Sequence, residues 1–228
     1  MSYLILNGEY SNRITGLLIS ELAPISLPPV RTQIETIDGR DGDIVTRLGY
    51  GAYDKTVSIG LFGNYDINEI IKFFSSEGNV TFSNEADKYY RYQILNQIDY
   101  NRLLRLKKAD VVFHVQPFKY AVDEAPVTGN SPLTVTNEGN TFSRPVITVE
   151  GEGEATLSLN GSQIFSLTLC GTMILDMETM NATDQSGNLL NRSVIGNFDS
   201  FRLIEGENVL TWSGGIDSVT VERYSRWL

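Results

Sequence analysis

The chain has 228 residues, a formal net charge of −10, 41% hydrophobic residues and 20% charged residues, the make-up of an ordinary folded protein with length for one large β domain or two ordinary ones. The charge argues against a protein built to hold nucleic acid, because that task needs Lys and Arg to neutralise phosphates; residues 1–130 carry 13 basic and 16 acidic groups and residues 131–228 carry 5 and 12, so the second half is the markedly acidic one. Cys170 is the only cysteine and His114 the only histidine, which excludes an internal disulfide and any Cys/His zinc site built from one chain.

No window is long and apolar enough to span a bilayer. The start, Met1-Ser2-Tyr3-Leu4-Ile5-Leu6-Asn7-Gly8, lacks the basic and long apolar regions of a secretory signal, so synthesis and assembly are expected in the cytoplasm. Residues 3–6 and 14–19 read as strands separated by the turn dipeptide Asn7-Gly8. Asp38-Gly39-Arg40-Asp41-Gly42-Asp43 follows as a charged, glycine-punctuated loop. Lys55 to Phe62 alternates, with Val57, Ile59 and Leu61 on one face, and reads as a half-buried strand.

Asp66-Ile67-Asn68-Glu69 has the form of a capping box and opens one short helix carrying Ile67, Ile70, Ile71 and Phe74 at helical spacing, with Gly78 placed to end it. Val80 and Phe82, then Tyr89 to Leu95, return to strand chemistry. The run Val111 to Val115 puts Val111, Phe113 and Val115 on one face and His114 on the other, giving His114 a structural or surface role. It ends in Pro117-Phe118-Lys119-Tyr120, and the stretch from Ala125 to Pro132, with two prolines and a glycine, reads as a linker that splits the chain near residue 130.

Beyond it the pattern is almost wholly β, with strands expected at 145–149, 155–159, 164–169, 173–177, 201–204, 209–212 and 216–221, and breaks at Gly151, Asn160-Gly161, Gly171, Ser186-Gly187-Asn188, Gly206 and Gly214-Gly215. Seven short strands in about 100 residues point to a β-sandwich. The fold expected is all-β with one short helix, as two domains covering residues 1–130 and 131–228.

Candidate chemistry is sparse. The carboxylates of Asp38, Asp41 and Asp43 are interrupted by glycines and Arg40, unlike a calcium loop, and read as a structured turn or an inter-subunit loop. Glu150, Glu152 and Glu154 alternate with glycines and read as a solvated face at a hairpin rather than a glycosidase pair, which needs two carboxylates facing each other across a cleft. Met173, Met177 and Met180 read as gap-filling core or loop anchors, and Trp212 and Trp227 as either sugar platforms or core rings. No phosphate-binding loop, nucleophile elbow or H-E-x-x-H pair occurs, so no catalytic, metal or cofactor residue is assigned and no enzyme is expected.

In order and spacing, Asp38-Gly39-Arg40-Asp41-Gly42, the helix Ile67 to Phe74 with Gly78-Asn79-Val80-Thr81-Phe82-Ser83-Asn84-Glu85, Tyr89-Tyr90-Arg91-Tyr92, the run into Pro117-Phe118-Lys119-Tyr120, Asn137-Glu138-Gly139-Asn140 before Arg144-Pro145-Val146-Ile147, Asp176, and Glu205 to Gly214 resemble the distal tail (Dit) protein family of siphophages. The resemblance implies an N-terminal β-sandwich belt with a short helix and an extended arm, packing head to tail into a homo-hexameric ring that stacks in pairs in isolation, and an outward C-terminal galectin-like β-sandwich. Strand edges around residues 31–62 are then available to pair between subunits. It implies a place at the distal end of the tail in the virion, with the tail tube protein, the tip or baseplate protein and the tape measure protein as partners, no membrane, and DNA passing without specific binding through an acidic or neutral lumen. The galectin sugar site uses a histidine, and residues 131–228 contain none, so the resemblance carries the fold without that site. The alternative is a carbohydrate-binding module for host wall glycans, with Trp212 or Trp227 as the stacking ring.

Overall fold

A computed structural model describes residues 2–228 and divides them into two compact units, one running to Val122 and including Leu228, the other Asp123–Trp227. The division falls ahead of the boundary expected at residue 130. The reason is that the proline-containing stretch is held by the second unit: Val127–Gly129 pairs with Val219–Val221, Arg223 donates to the Ala125 carbonyl, and the Ser225 amide donates to Glu124.

The first unit begins with β1 (Leu4–Leu6) and β2 (Glu9–Tyr10), joined through Asn7 and Gly8 at φ 50° and 87°, the positive pair that a two-residue hairpin turn requires. Asn7-Gly8 thus joins β1 to this short partner rather than to the later strand β3 (Leu17–Glu21). Next come β4 (Val30–Thr36), β5 (Asp43–Tyr50), β6 (Tyr53–Leu61), α1 (Ile67–Phe73), β7 (Gly78–Phe82), β8 (Lys88–Gln93), α2 (Tyr100–Leu106) and β9 (Lys108–Ala121). An antiparallel sheet runs β2-β1-β7-β8-β9-β6-β3, while β4 and β5 pair only with each other.

The alternation seen in the sequence sets the buried face. Val57, Ile59, Val111, Phe113 and Val115 are inaccessible to solvent, and the Phe113 ring meets Phe82 at 5.8 Å and Tyr92 at 5.2 Å, both edge-on, the arrangement aromatic quadrupoles favour. Helix α1 buries Ile70 and Phe73. Its cap is as expected, Asp66 accepting from the Asn68 amide at 2.9 Å, but it stops at Phe74, and Gly78 instead opens β7 at φ 135°, where a Cβ would run into Asn7.

Two expectations need correction here. There are two helices rather than one: Asp99 accepts from the Arg102 amide at 2.8 Å and starts α2, which buries only Leu103 and ends at Lys107 in the left-handed region, φ 57°. With one buried position and no glycine stop, α2 lacks the periodic stripe that betrays a helix. The strand through Val111–Val115 does not end at Pro117 but continues to Ala121. Pro117 is tolerated because the β8 ladder skips from Tyr92↔Val115 to Tyr90↔Lys119, leaving the residue that cannot donate inside a bulge.

The second unit holds β10 (Val127–Gly129), β11 (Leu133–Asn137), β12 (Val146–Leu159), β13 (Ser162–Asp176), β14 (Asn181–Thr183), β15 (Val194–Gly196) and β16 (Gly206–Glu222). Six of the seven short strands expected here merge into three long ones, and residues 201–204 form no strand; Phe201 and Leu203 are core anchors joined by a single bridge, Ser143↔Leu203. Asn160-Gly161 and Ser186-Gly187-Asn188 lie outside the strands, as expected, and Gly206 opens β16, but Gly151, Gly171, Gly214 and Gly215 lie inside the long strands rather than breaking them. At Gly151, Gly214 and Gly215 the space of a Cβ is occupied by the carbonyl oxygens of Gly215, Glu154 and Glu152 respectively, so the backbones close up where register shifts between Glu150 and Ala155. One core collects Ile147, Leu157, Leu167, Leu175, Leu210 and Val221 from both ends of these strands. The sheet therefore folds over on itself about a glycine belt, each long strand serving both leaves.

Candidate interaction surface

The β4–β5 hairpin is the part of the first unit that its core does not account for. Among its residues none is buried, yet Ile34 and Val45, directly opposite each other, are each 60% exposed, and Val30, Ile37 and Leu48 are exposed as well. An isolated two-stranded hairpin is at best marginal in water, and apolar side chains gathered on one are the mark of an interaction surface.

The chain enters this arm through Leu22-Ala23-Pro24-Ile25-Ser26-Leu27-Pro28-Pro29, four of whose carbonyls are held by donors on β6, on the turn after β7 and just before β6. Lys55 donates to the Pro24 oxygen at 2.9 Å, Asn84 to Ala23 at 3.1 Å, Tyr53 to Ser26 at 3.4 Å and the Gly51 amide to Pro29 at 2.8 Å. Lys55 is 2% exposed, its Nζ 5.0 Å from the Tyr90 ring centroid and 5.4 Å from that of Phe82; burial pulls its pKa down, against the pull of Glu85. Glu85 accepts from Lys119 at 2.9 Å and from the Tyr90 hydroxyl at 2.6 Å. Burial first, and then this bond to Glu85, drive the Tyr90 hydroxyl far above its ordinary range. The root of the arm is thus built on a charged, hydrogen-bonded cluster inside an aromatic wall, while the arm itself is exposed.

The loop Asp38 to Asp43 forms the tip of the hairpin, with Gly39 and Gly42 at φ 81° and 79° and Asp43 accepting from Thr36 at 3.0 Å. Among the described residues no group of three or more His, Cys, Asp and Glu could hold a metal ion. Leu95, Leu104 and Leu106 are exposed near Arg102, Arg105, Lys107 and Lys108. A groove of about 700 Å³ runs between α1 and the segment before α2, lined by Ile71, Phe74, Gln93, Leu95, Ile98 and Tyr100 among others.

The other residues singled out in the sequence are not brought to one place. His114 bonds Asp54 at 2.8 Å on the outer face of the sheet. Glu150 accepts from Ser218 at 2.9 Å and Glu154 from Thr168 at 3.1 Å; all three glutamates are exposed, but in mid-strand rather than at a hairpin. Met173 and Met177 are core, Met180 is exposed, and Trp212 packs partly against the second core. The root cluster of Lys55, Glu85 and Lys119 was not anticipated; three charges scattered over two strands and the turn after β7 give no local signal of burial.

Two mostly β units in tandem, the first carrying two short helices and a clamped, exposed apolar arm, define a class of protein by architecture. The SPP1 Dit protein (gp 19.1), described as a paradigm of hub adsorption apparatus in phages infecting Gram-positive bacteria, has this fold, with a TM-score of 0.70 at 16% identity over 100% of both chains. The resemblance to distal tail proteins read in the sequence is therefore met at the level of fold. A baseplate chain of phage P2, in an activated conformation with Ca, matches at a TM-score of 0.44 and 7% identity over 98% of each chain. No protein-family model and no curated protein sequence matches.

Proposed function

We propose that the protein is the distal hub of a siphophage tail. It forms a hexameric ring through its first unit, sits in the virion between the tail tube and the tip or baseplate proteins, and leaves a passage for the DNA and the tape measure protein. The second unit is an outward galectin-like sandwich and receptor recognition falls to other proteins. The reading is carried by the end-to-end agreement of the two-unit fold with the SPP1 hub protein, and it gives the exposed β4–β5 arm a task. A head-to-tail contact made by an arm on one side and a receiving surface on the other closes into a ring when the rotation permits.

The test is the mass and shape of the purified full chain. Light scattering should give six copies, or twelve for paired rings, and negative-stain images should show rings with a central hole. A monomer at every concentration, unchanged by adding the tail tube or tip protein, would end the hub reading.

A further inference from the structure

The arm has a chemical counterpart on its own chain. Residues 35–43 carry Glu35, Asp38, Asp41 and Asp43 against Arg40, four acids and one base, net −3, and among the described residues neither Asp38 nor Asp41 has a cationic partner. Inboard of this acidic tip lies the apolar pair Ile34 and Val45. Helix α2 and the first residue of β9 present the opposite charge in the same combination. Arg102, Arg105 and Lys108 are exposed with no carboxylate partner among the described residues, beside exposed Leu104 and Leu106. The dimensions agree: the four residue steps from Ile34 to Asp38 at the tip span about 13 Å if extended, and the seven residues of α2 span about 10 Å.

We infer that the acidic tip of one copy's β4–β5 arm docks on the basic, leucine-bearing face of α2 in a second copy. The inference rests on the ring reading and names its receiving surface. Opposite charges set the register of the contact and exclude arm against arm, while the apolar pair meets Leu104 and Leu106 and supplies the buried area. The fit is heterologous, acid on one copy and base on the next, which is the kind of contact that propagates around a ring. It also uses up cations that would otherwise be free to hold a passing phosphate backbone.

Charge exchange in the full chain tests it, read by sedimentation velocity at 50 and 500 mM salt. Asp38→Lys with Asp41→Lys, and separately Arg102→Glu with Arg105→Glu, should each raise the concentration for half-assembly at least tenfold at 50 mM salt. Mixing the two variants should restore rings, because in an alternating ring every contact pairs opposite charges, reversed tip on reversed helix and native tip on native helix, and all four substitutions on one chain should likewise restore assembly to within about threefold of the parent. All four residues are exposed, so circular dichroism and urea midpoints should stay those of the parent. Rings that form normally with Arg102→Glu and Arg105→Glu, or a fourfold variant no better than either pair, would overturn this contact and leave the hub standing. A parent chain that never self-associates would overturn both.

Discussion

Lys55 Nζ lies 2.9 Å from the carbonyl oxygen of Pro24, so a lysine in the core of the first sheet holds the chain at the point where it leaves for the arm. The sheet does not need this bond for its own ladder, since Lys55 already pairs with Phe113 through the backbone. Its burial is unfavourable for the ammonium, as the lowered pKa records. The contact is therefore best understood as positioning the arm. Lys55→Met, which keeps the apolar stem, should change global stability by less than about 1 kcal/mol, because Glu85 keeps Lys119 and Tyr90 as partners and relief of the buried ammonium offsets the lost bond to Pro24. Hydrogen exchange at Gly51 and along residues 30–50 should quicken. Unchanged exchange there would remove the positioning role.

Glu85 stands differently, since Lys119 and Tyr90 both bond to its carboxylate and Lys55 feels its charge. Glu85→Ala leaves buried lysines uncompensated and a tyrosine hydroxyl without its acceptor. The expected loss is about 3 kcal/mol, read as a drop in the urea midpoint of the first unit. Lys119→Met together with Glu85→Leu should lose less than Glu85→Ala alone, because the pair then leaves no orphan of its own.

Alkaline pH should unfold the first unit. Burial raises the pKa of Tyr53, Tyr90, Tyr92 and Tyr100 above the ordinary 10.0. Above pH 10 the unfolded chain loses those protons while the folded chain keeps them, so stability falls as pH rises from about 10 toward the raised values. Lys55 works the other way: its folded pKa is below 10.5, so its contribution grows as pH rises toward 10.5. Four tyrosines outweigh one lysine, and the urea midpoint should decline from about pH 10 upward. Tyr100→Phe, at a site where burial is the sole cause, should flatten that decline; an unaltered slope would show that other groups govern it.

The sequence displayed the strands of the first core because each alternates and buries one face: Val57, Ile59, Val111 and Phe113 are where the pattern puts them. It displayed the start of α1 because Asp66 caps it. It hid α2, which buries only Leu103, and it hid the continuity of β12, β13 and β16, because a glycine within a bulged strand and a glycine at a turn look alike in a sequence. The charged loop from Asp38 to Asp43 was legible as a turn, but an arm behind it was implied only by the family resemblance and not by the residues themselves, since Ile34 and Val45 alternate as a buried strand would. Nothing local tells an apolar residue awaiting a partner molecule from one awaiting its own core.

The glycine belt separates two effects that are often merged. At Gly215 an added Cβ would collide with the backbone at Glu152, where nothing can swing aside, whereas at Gly171, φ 93°, the space is open and only the backbone conformation is unsuited to a side chain. Gly215→Ala must push β16 away from β12 at the fold of the sheet, with an expected cost of about 3 kcal/mol, the upper part of the range for overpacking. Gly171→Ala should cost only about 1 kcal/mol, the penalty of a left-handed conformation for a residue with a Cβ. Urea unfolding of the full chain, followed by the fluorescence of Trp212 and Trp227, both in the second unit, should show that unit's transition moved much further by the first substitution than by the second. Equal shifts would mean that the strands slide apart freely at the belt, and the two leaves would then not be held together by the close approach at Gly151 and Gly215.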